Sequence, residues 1–187
     1  MKASVIQGFL RSALFMVLCV LCATVHAAEQ APLLSFKVNL SPAGSFVAQS
    51  KRLVGEAQGA GAAFQASEVS LELDSLRTGI ELRDRHMTQK YMESKKFPTA
   101  VVKNAEGKDG RFKAQLTVHG KTRPVEGTFE IKGGPSGPNW VEAKFKATLS
   151  EFEIEEANYM GVGVEDEVEV TALVPLRKGA VSGGARK

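Results

Sequence analysis

Cysteine is nearly missing from this chain of 187 residues: Cys19 and Cys22 are the only two, and both sit close to the amino terminus. They lie in or beside an apolar run, Ala13 to Ala23, that follows Lys2 and Arg11 and leads into the small-residue site Val25-His26-Ala27. That layout is a secretory signal peptide over residues 1–27, so both cysteines leave with it and the mature chain holds no disulfide in an oxidising compartment. Leu21 stands where a lipobox before Cys22 would carry Gly, Ala or Ser, so no lipid anchor is expected. A second long hydrophobic run is also missing, which excludes an integral membrane span in the mature protein.

Charge of one sign is lacking as well. The balance of 24 basic and 21 acidic residues gives +3, and removal of Lys2 and Arg11 with the leader brings it to +1. Nothing resembles a basic stripe interleaved with aromatics, so no nucleic acid is expected as a partner. Histidine is scarce: beyond the leader only His86 and His119 remain. With no H-E-x-x-H, G-x-S-x-G or phosphate loop, and no ligand spacing around those two, the sequence points to no catalytic residue, metal or cofactor. His119 stands in a turn, His-Gly-Lys-Thr, where exposure to solvent is expected.

What the chain does have is a period of two. Apolar side chains alternate with polar ones along 35–40, 69–73, 112–118, 125–131, 141–149 and 168–174, and each run reads as a half-buried strand. Weaker strands are expected over 46–54, 55–64 and 99–104. Turn signals such as Glu106-Gly107-Lys108-Asp109-Gly110 and Gly133-Gly134-Pro135-Ser136-Gly137-Pro138 separate them. The sum is an all-β, antiparallel domain of about eight strands, a sandwich or a closed barrel, with an interior either packed or hollow. Ala114, Gly127, Ala143 and Ala147 on the inward faces leave room. Three glycines within 55–63 mark bulges or close approach.

Only the stretch LRDRHMTQKYMESKKFP, residues 82 to 98, changes period. Met87 and Tyr91 recur at helical spacing, Asp84 can cap a start, and Phe97-Pro98 stops the run, so one short helix is expected at 84–96. Its apolar face would close one end of the domain and its charged face would meet water. Alternatively Arg83, Arg85 or His86, beside Met87 and Tyr91, would stand at a barrel mouth and contact an anionic or polar headgroup.

The motifs now line up with a known family. LELDSLRTGIELRDRHMTQKYMESKKFPTAVV, with its Ser-x-x-Thr-Gly link and Arg-Asp-x-His helix start, together with LTVHGKTRPVEGTFEI and VGVEDEVEVTALVPL, resembles the YceI-like proteins from about Ser35 to Leu176. Two places depart from the family pattern: SFVAQSKRLVG lacks the histidine that many relatives carry there, and the Gly-Ala stretch at 55–63 replaces a more typical strand. The resemblance implies a lipocalin-like barrel, exported to the periplasm, whose apolar interior binds or carries a polyisoprenoid or similar long-chain lipid. Candidate lining residues are then Phe36, Val38, Leu71, Leu73, Phe112, Leu116, Phe129, Phe145, Val168 and Val170, which would equally be inside if the core were solid. In that second case the domain would be a non-catalytic interaction module for a protein partner. The expected layout is a signal peptide at 1–27, a mature N-terminal segment at 28–34, the barrel domain at 35–176 and a disordered basic tail at 177–187. An unpaired sheet edge could support a homodimer.

Overall fold

A computed structural model of the chain describes residues 33–133, 139–159 and 162–179. The proposed signal peptide, residues 28–32 of the expected N-terminal segment, residues 134–138 of the glycine- and proline-rich loop, and the expected tail from residue 180 lie outside the described residues; Leu33 and Leu34, expected before the domain, and Arg177 and Lys178, expected in a disordered tail, instead lie in strands. Among the described residues there are eleven strands: β1 (Leu33–Ser41), β2 (Ser45–Ser50), β3 (Leu53–Gly55), β4 (Ala57–Ala60), β5 (Ala63–Glu72), β6 (Thr99–Lys108), β7 (Arg111–Val118), β8 (Lys121–Lys132), β9 (Asn139–Thr148), β10 (Asn158–Tyr159) and β11 (Val162–Lys178). The strong sequence-derived runs fall on these strands except at Leu73 and Leu149, which open 3-10 turns, and the weak 46–54 run is divided between β2 and β3. The weak 55–64 run is divided between β4 and the start of β5.

Seven strands close a barrel in the order β4, β5, β6, β7, β8, β9, β11. Long antiparallel ladders make most of the wall, and ten pairs from Glu167↔Thr148 to Leu176↔Asn139 join β11 to β9. The join between β11 and β4 is short and parallel, Leu176↔Ala57 to Lys178↔Gly59. Glycine makes this seam possible: a Cβ on Gly59 would stand 2.8 Å from both the Ala63 carbonyl oxygen and Leu176 Cδ1. Two-residue turns with positive φ, Asp109-Gly110 and His119-Gly120, connect β6 to β7 and β7 to β8, a backbone that matches the right-handed twist of the flanking strands.

Where β4 stops, the β1–β2 hairpin continues the wall. β1 runs along β11 from Leu33↔Leu173 to Ser41↔Gly163, and β2 pairs with β1. Among the described residues the outer edge of β2 is joined by backbone to the rest of the barrel at a single bridge, with reciprocal bonds of 2.9 Å between Gln49 and Arg77. The barrel is therefore narrow and fully laddered at one end, and wide with a thin seam at the other.

The helical insert sits at the wide end and begins earlier than the sequence suggests. α1 spans Glu81–Arg85 and passes directly into a π turn, His86–Tyr91. Asp84 is not the cap. It lies inside α1, and its Oδ1 accepts bonds from Thr78 N (2.7 Å) and Thr78 Oγ1 (2.6 Å), folding the Thr78-Gly79-Ile80 link onto the helix. After Tyr91 the chain leaves the helix through turns, so residues 92–96 are not helical.

Candidate functional site

Along each strand the inward residues divide by position on the barrel axis. At the narrow end Phe64, Phe112 and Phe129 fill the interior: the Phe64 and Phe129 rings meet edge to face at 4.7 Å, and Phe64 lies 6.3 Å from Phe112. The glycines beneath them provide no spare volume, because a Cβ on Gly127 would fall 2.8 Å from Phe112 Cε1 and one on Gly107 2.2 Å from Phe64 Cε1. Gly127 thus makes space for a ring and leaves no hollow.

Toward the wide end the filling stops. Phe145, whose ring stands edge to face 6.0 Å from Phe112, forms the floor of an open cavity of about 660 Å³. That volume lies within the range of small-molecule sites. The wall carries Leu34, Phe36, Val38 and Leu40 from β1, Val69 and Leu71 from β5, Leu116 and Val118 from β7, Ala147 from β9 and Val164, Val168 and Val170 from β11. Arg83, His86, Tyr91 and Glu155 are the polar side chains that reach it. Period two puts these apolar groups inside, and the small side chains Ala147 and Ala172 keep the middle open.

Of the candidate lining residues, Phe36, Val38, Leu71, Leu73, Leu116, Phe145, Val168 and Val170 border the cavity. Phe112 and Phe129 do not, since they stack in the plug below it. Among the mouth residues Arg83, His86, Met87 and Tyr91 border it, while Arg85 is exposed and points elsewhere. The π turn explains this grouping. Met92 N donates to Met87 O across five residues at 2.9 Å, so side chains five apart share a face. His86 with Tyr91, and Met87 with Met92, then all turn inward, whereas ordinary helical spacing would have set His86 beside Lys90.

Leu34 and Leu40 belong to the same alternation as Phe36 and Val38 and were findable from it. Ile154, Glu155 and Ala157 come from an irregular stretch after the 3-10 turn Leu149–Phe152; no periodicity points to them. Ile80 and Leu82 also border the cavity although they are polar-flanked and exposed.

His119 departs from expectation. Its side chain is only 13% exposed. Nδ1 donates to the Phe152 carbonyl at 3.1 Å, Nε2 meets Glu93 Oε2 at 2.7 Å, and the ring stands edge to face with Phe97 at 4.6 Å. The hairpin turn packs its underside against the exit of the helical insert and the 3-10 turn, which removes the imidazole from water and ties three mouth elements together. Nearby Lys121 bonds Glu153 at 2.7 Å and holds that carboxyl below its ordinary range. Among the described residues no three of His, Cys, Asp and Glu come together as metal ligands, and no helix is long and apolar enough to cross a membrane.

The fold and site define a closed β-barrel, plugged at one end and hollow, apolar and open at the other. The chain belongs to the YceI-like family: the family model for the YceI-like domain matches residues 28–175. Solved structures share the fold at low identity. BcnA of Burkholderia cenocepacia is 14% identical with a TM-score of 0.62, over 76% of this chain and 94% of its own. A polyisoprenoid-binding domain from Saccharophagus degradans, implicated in plant cell wall breakdown, is 15% identical with a TM-score of 0.61, over 78% and 93%. The YceI protein of Campylobacter jejuni is 17% identical with a TM-score of 0.53, over 71% and 85%. None of the curated proteins matches the chain.

Proposed function

We propose that this protein is a periplasmic carrier that holds the tail of a polyisoprenoid or similar long-chain amphiphile in the barrel, with the headgroup at the mouth beside Arg83, His86 and Tyr91. The observation that carries the reading is the cavity: about 660 Å³ with an almost wholly apolar wall, open at one end only. The polyisoprenoid-binding domain of similar fold supports the ligand class, and the leader-like amino terminus supports export. Burying apolar surface contributes roughly 25 cal/mol per Å², so a tail hiding about 300 Å² gains about 7.5 kcal/mol before ordering costs. Such a function asks only for enclosure and release. No bond in the ligand has to change.

Native mass spectrometry of gently isolated protein, with organic extraction of the same sample, tests this directly. A copurifying apolar molecule, or stoichiometric uptake of an added isoprenoid alcohol, is expected. Protein that carries nothing and takes up no long-chain probe would overturn the reading.

A further inference from the structure

Among the described residues five large apolar side chains are strongly exposed: Val47, Val54, Ile80, Leu82 and Val162. Three of them, Ile80, Leu82 and Val162, also border the cavity, so the apolar lining runs out of the mouth onto the surface. Ile80 and Leu82 are about half exposed, at 51% and 54%, and α1 buries none of its residues. A helix whose apolar side chains face water beside a hollow is an unfinished contact.

The charges around this lip are not balanced. The Arg83 guanidinium lies 4.6 Å over the Phe46 ring and the Lys90 ammonium 4.9 Å over the Tyr91 ring. Neither they nor Arg85 forms an ion pair with any described residue. Asp84, bonded only to the neutral Thr78, and Glu81 keep their charge, and Glu93 meets His119 and Lys96, so residues 81–96 carry five Lys or Arg against three acids and the segment is basic on balance. The segment after the 3-10 turn brings the opposite sign to the rim, with Glu155 on the cavity border and Glu156 next to it. The mouth thus has a basic, apolar lip and an acidic one.

We propose that the Ile80 and Leu82 lip, flanked by Arg83, Arg85 and Lys90, docks the open end of the barrel onto an anionic lipid bilayer, with the Glu155 and Glu156 side tilted away. This rests on the reading that the cavity takes a long-chain lipid. A tail of that kind has negligible solubility, so it must pass between barrel and bilayer, and the lip gives it a path that stays apolar from the cavity to the membrane. Cations within a Debye length of the lipid phosphates hold that orientation.

Cosedimentation of the full mature chain with vesicles containing phosphatidylglycerol, against vesicles of phosphatidylcholine alone, is the test, run beside uptake of a soluble fluorescent fatty acid in vesicle-free buffer. The wild type is expected on the anionic vesicles only and to be released by salt. Ile80→Ser with Leu82→Ser is expected to lose the vesicles. Arg85→Gln with Lys90→Gln should lower partitioning roughly 25-fold, at about fivefold per cation, whereas Glu155→Gln with Glu156→Gln should raise it. Lys90→Gln alone should leave fatty-acid uptake unchanged. A wild type that takes up the fatty acid yet ignores anionic vesicles overturns the docking and leaves the carrier reading intact. Vesicle binding without any uptake supports the docking and defeats the carrier. If Ile80→Ser with Leu82→Ser instead converts a dimer to a monomer in sedimentation equilibrium, the lip is a contact between copies and the proposal falls.

Discussion

Two substitutions at opposite ends of the barrel separate a hollow interior from a filled one, and the larger side chain should be the better tolerated. Ala147 faces Val168 across the β9–β11 ladder, and both border the cavity. Ala147→Phe places a ring in open space, where no neighbour has to move, so its effect on stability should stay within about 1 kcal/mol. The ring claims roughly 150–250 Å² of contact, and if that area is taken from a ligand tail the loss is about 4–6 kcal/mol, a thousandfold or more in affinity. Gly127→Ala adds a single carbon at the narrow end, 2.2 Å from the Lys144 carbonyl oxygen and 2.8 Å from Phe112 Cε1. Overpacking of this kind costs about 1–3 kcal/mol, which at roughly 2–4 °C per kcal/mol lowers Tm by several degrees. Differential scanning calorimetry gives the stability and titration with a fluorescent fatty acid the affinity. Equal destabilisation by the two changes would refute the hollow end, and Ala147→Phe with unchanged affinity would refute the cavity as the binding site.

His119→Ala removes the bonds to Phe152 and Glu93, and with Glu93 partly exposed the expected cost is about 2–3 kcal/mol, accompanied by faster proteolysis near residues 92–97 in a timed digest. Phe129→Ala opens the plug and should cost about 3–5 kcal/mol in urea unfolding, with little change in ligand stoichiometry. The Lys121 ammonium, through its hydrogen bond, lowers Glu153 from its ordinary value of 4.5. A depressed carboxyl adds stability above its unfolded value and loses it as pH falls through the folded one. The Tm difference between wild type and Glu153→Gln should therefore be present at neutral pH and shrink as pH falls below 4.5 in a pH series; a difference that widens under acid would contradict the assignment.

The strands were legible because alternation is a one-dimensional signal: Phe36 and Val38 point inward for the same reason whatever they meet there. What they meet is a three-dimensional fact. Phe112 and Phe145 look alike in sequence, yet one is in the plug and the other on the cavity floor, since a barrel's depth is set by register between strands and no strand carries it alone. Gly127 misleads in the same way, for its missing side chain is compensated by a ring from the neighbouring strand. The helical insert was legible as a break in period, but the π turn changes which residues share a face, so the grouping of His86 with Tyr91 had no local signature. His119 looked like a turn residue and is one; its burial comes from elements 26 and 33 residues distant in the chain.

An empty apolar volume forfeits the contacts that a filled core would supply, so the wide end must be held by something else. The bonds found there are polar and lie in the rim. Asp84 closes on Thr78, Ser50 Oγ meets Ser75 Oγ at 2.6 Å, Gln49 and Arg77 exchange backbone bonds, and His119 joins three segments. Each clasp joins elements that a packed interior would otherwise hold together. Stability thereby comes from the phenylalanine plug, from the rim, and from the apolar side chains buried beneath the rim, among them Leu73, Leu76, Phe152 and Ile154, and the space they enclose is free to vary in occupancy. A ligand that enters adds the missing contacts and raises stability by mass action. On the carrier reading proposed above, the loaded barrel is the tighter one, and release requires a surrounding in which the tail is equally well covered.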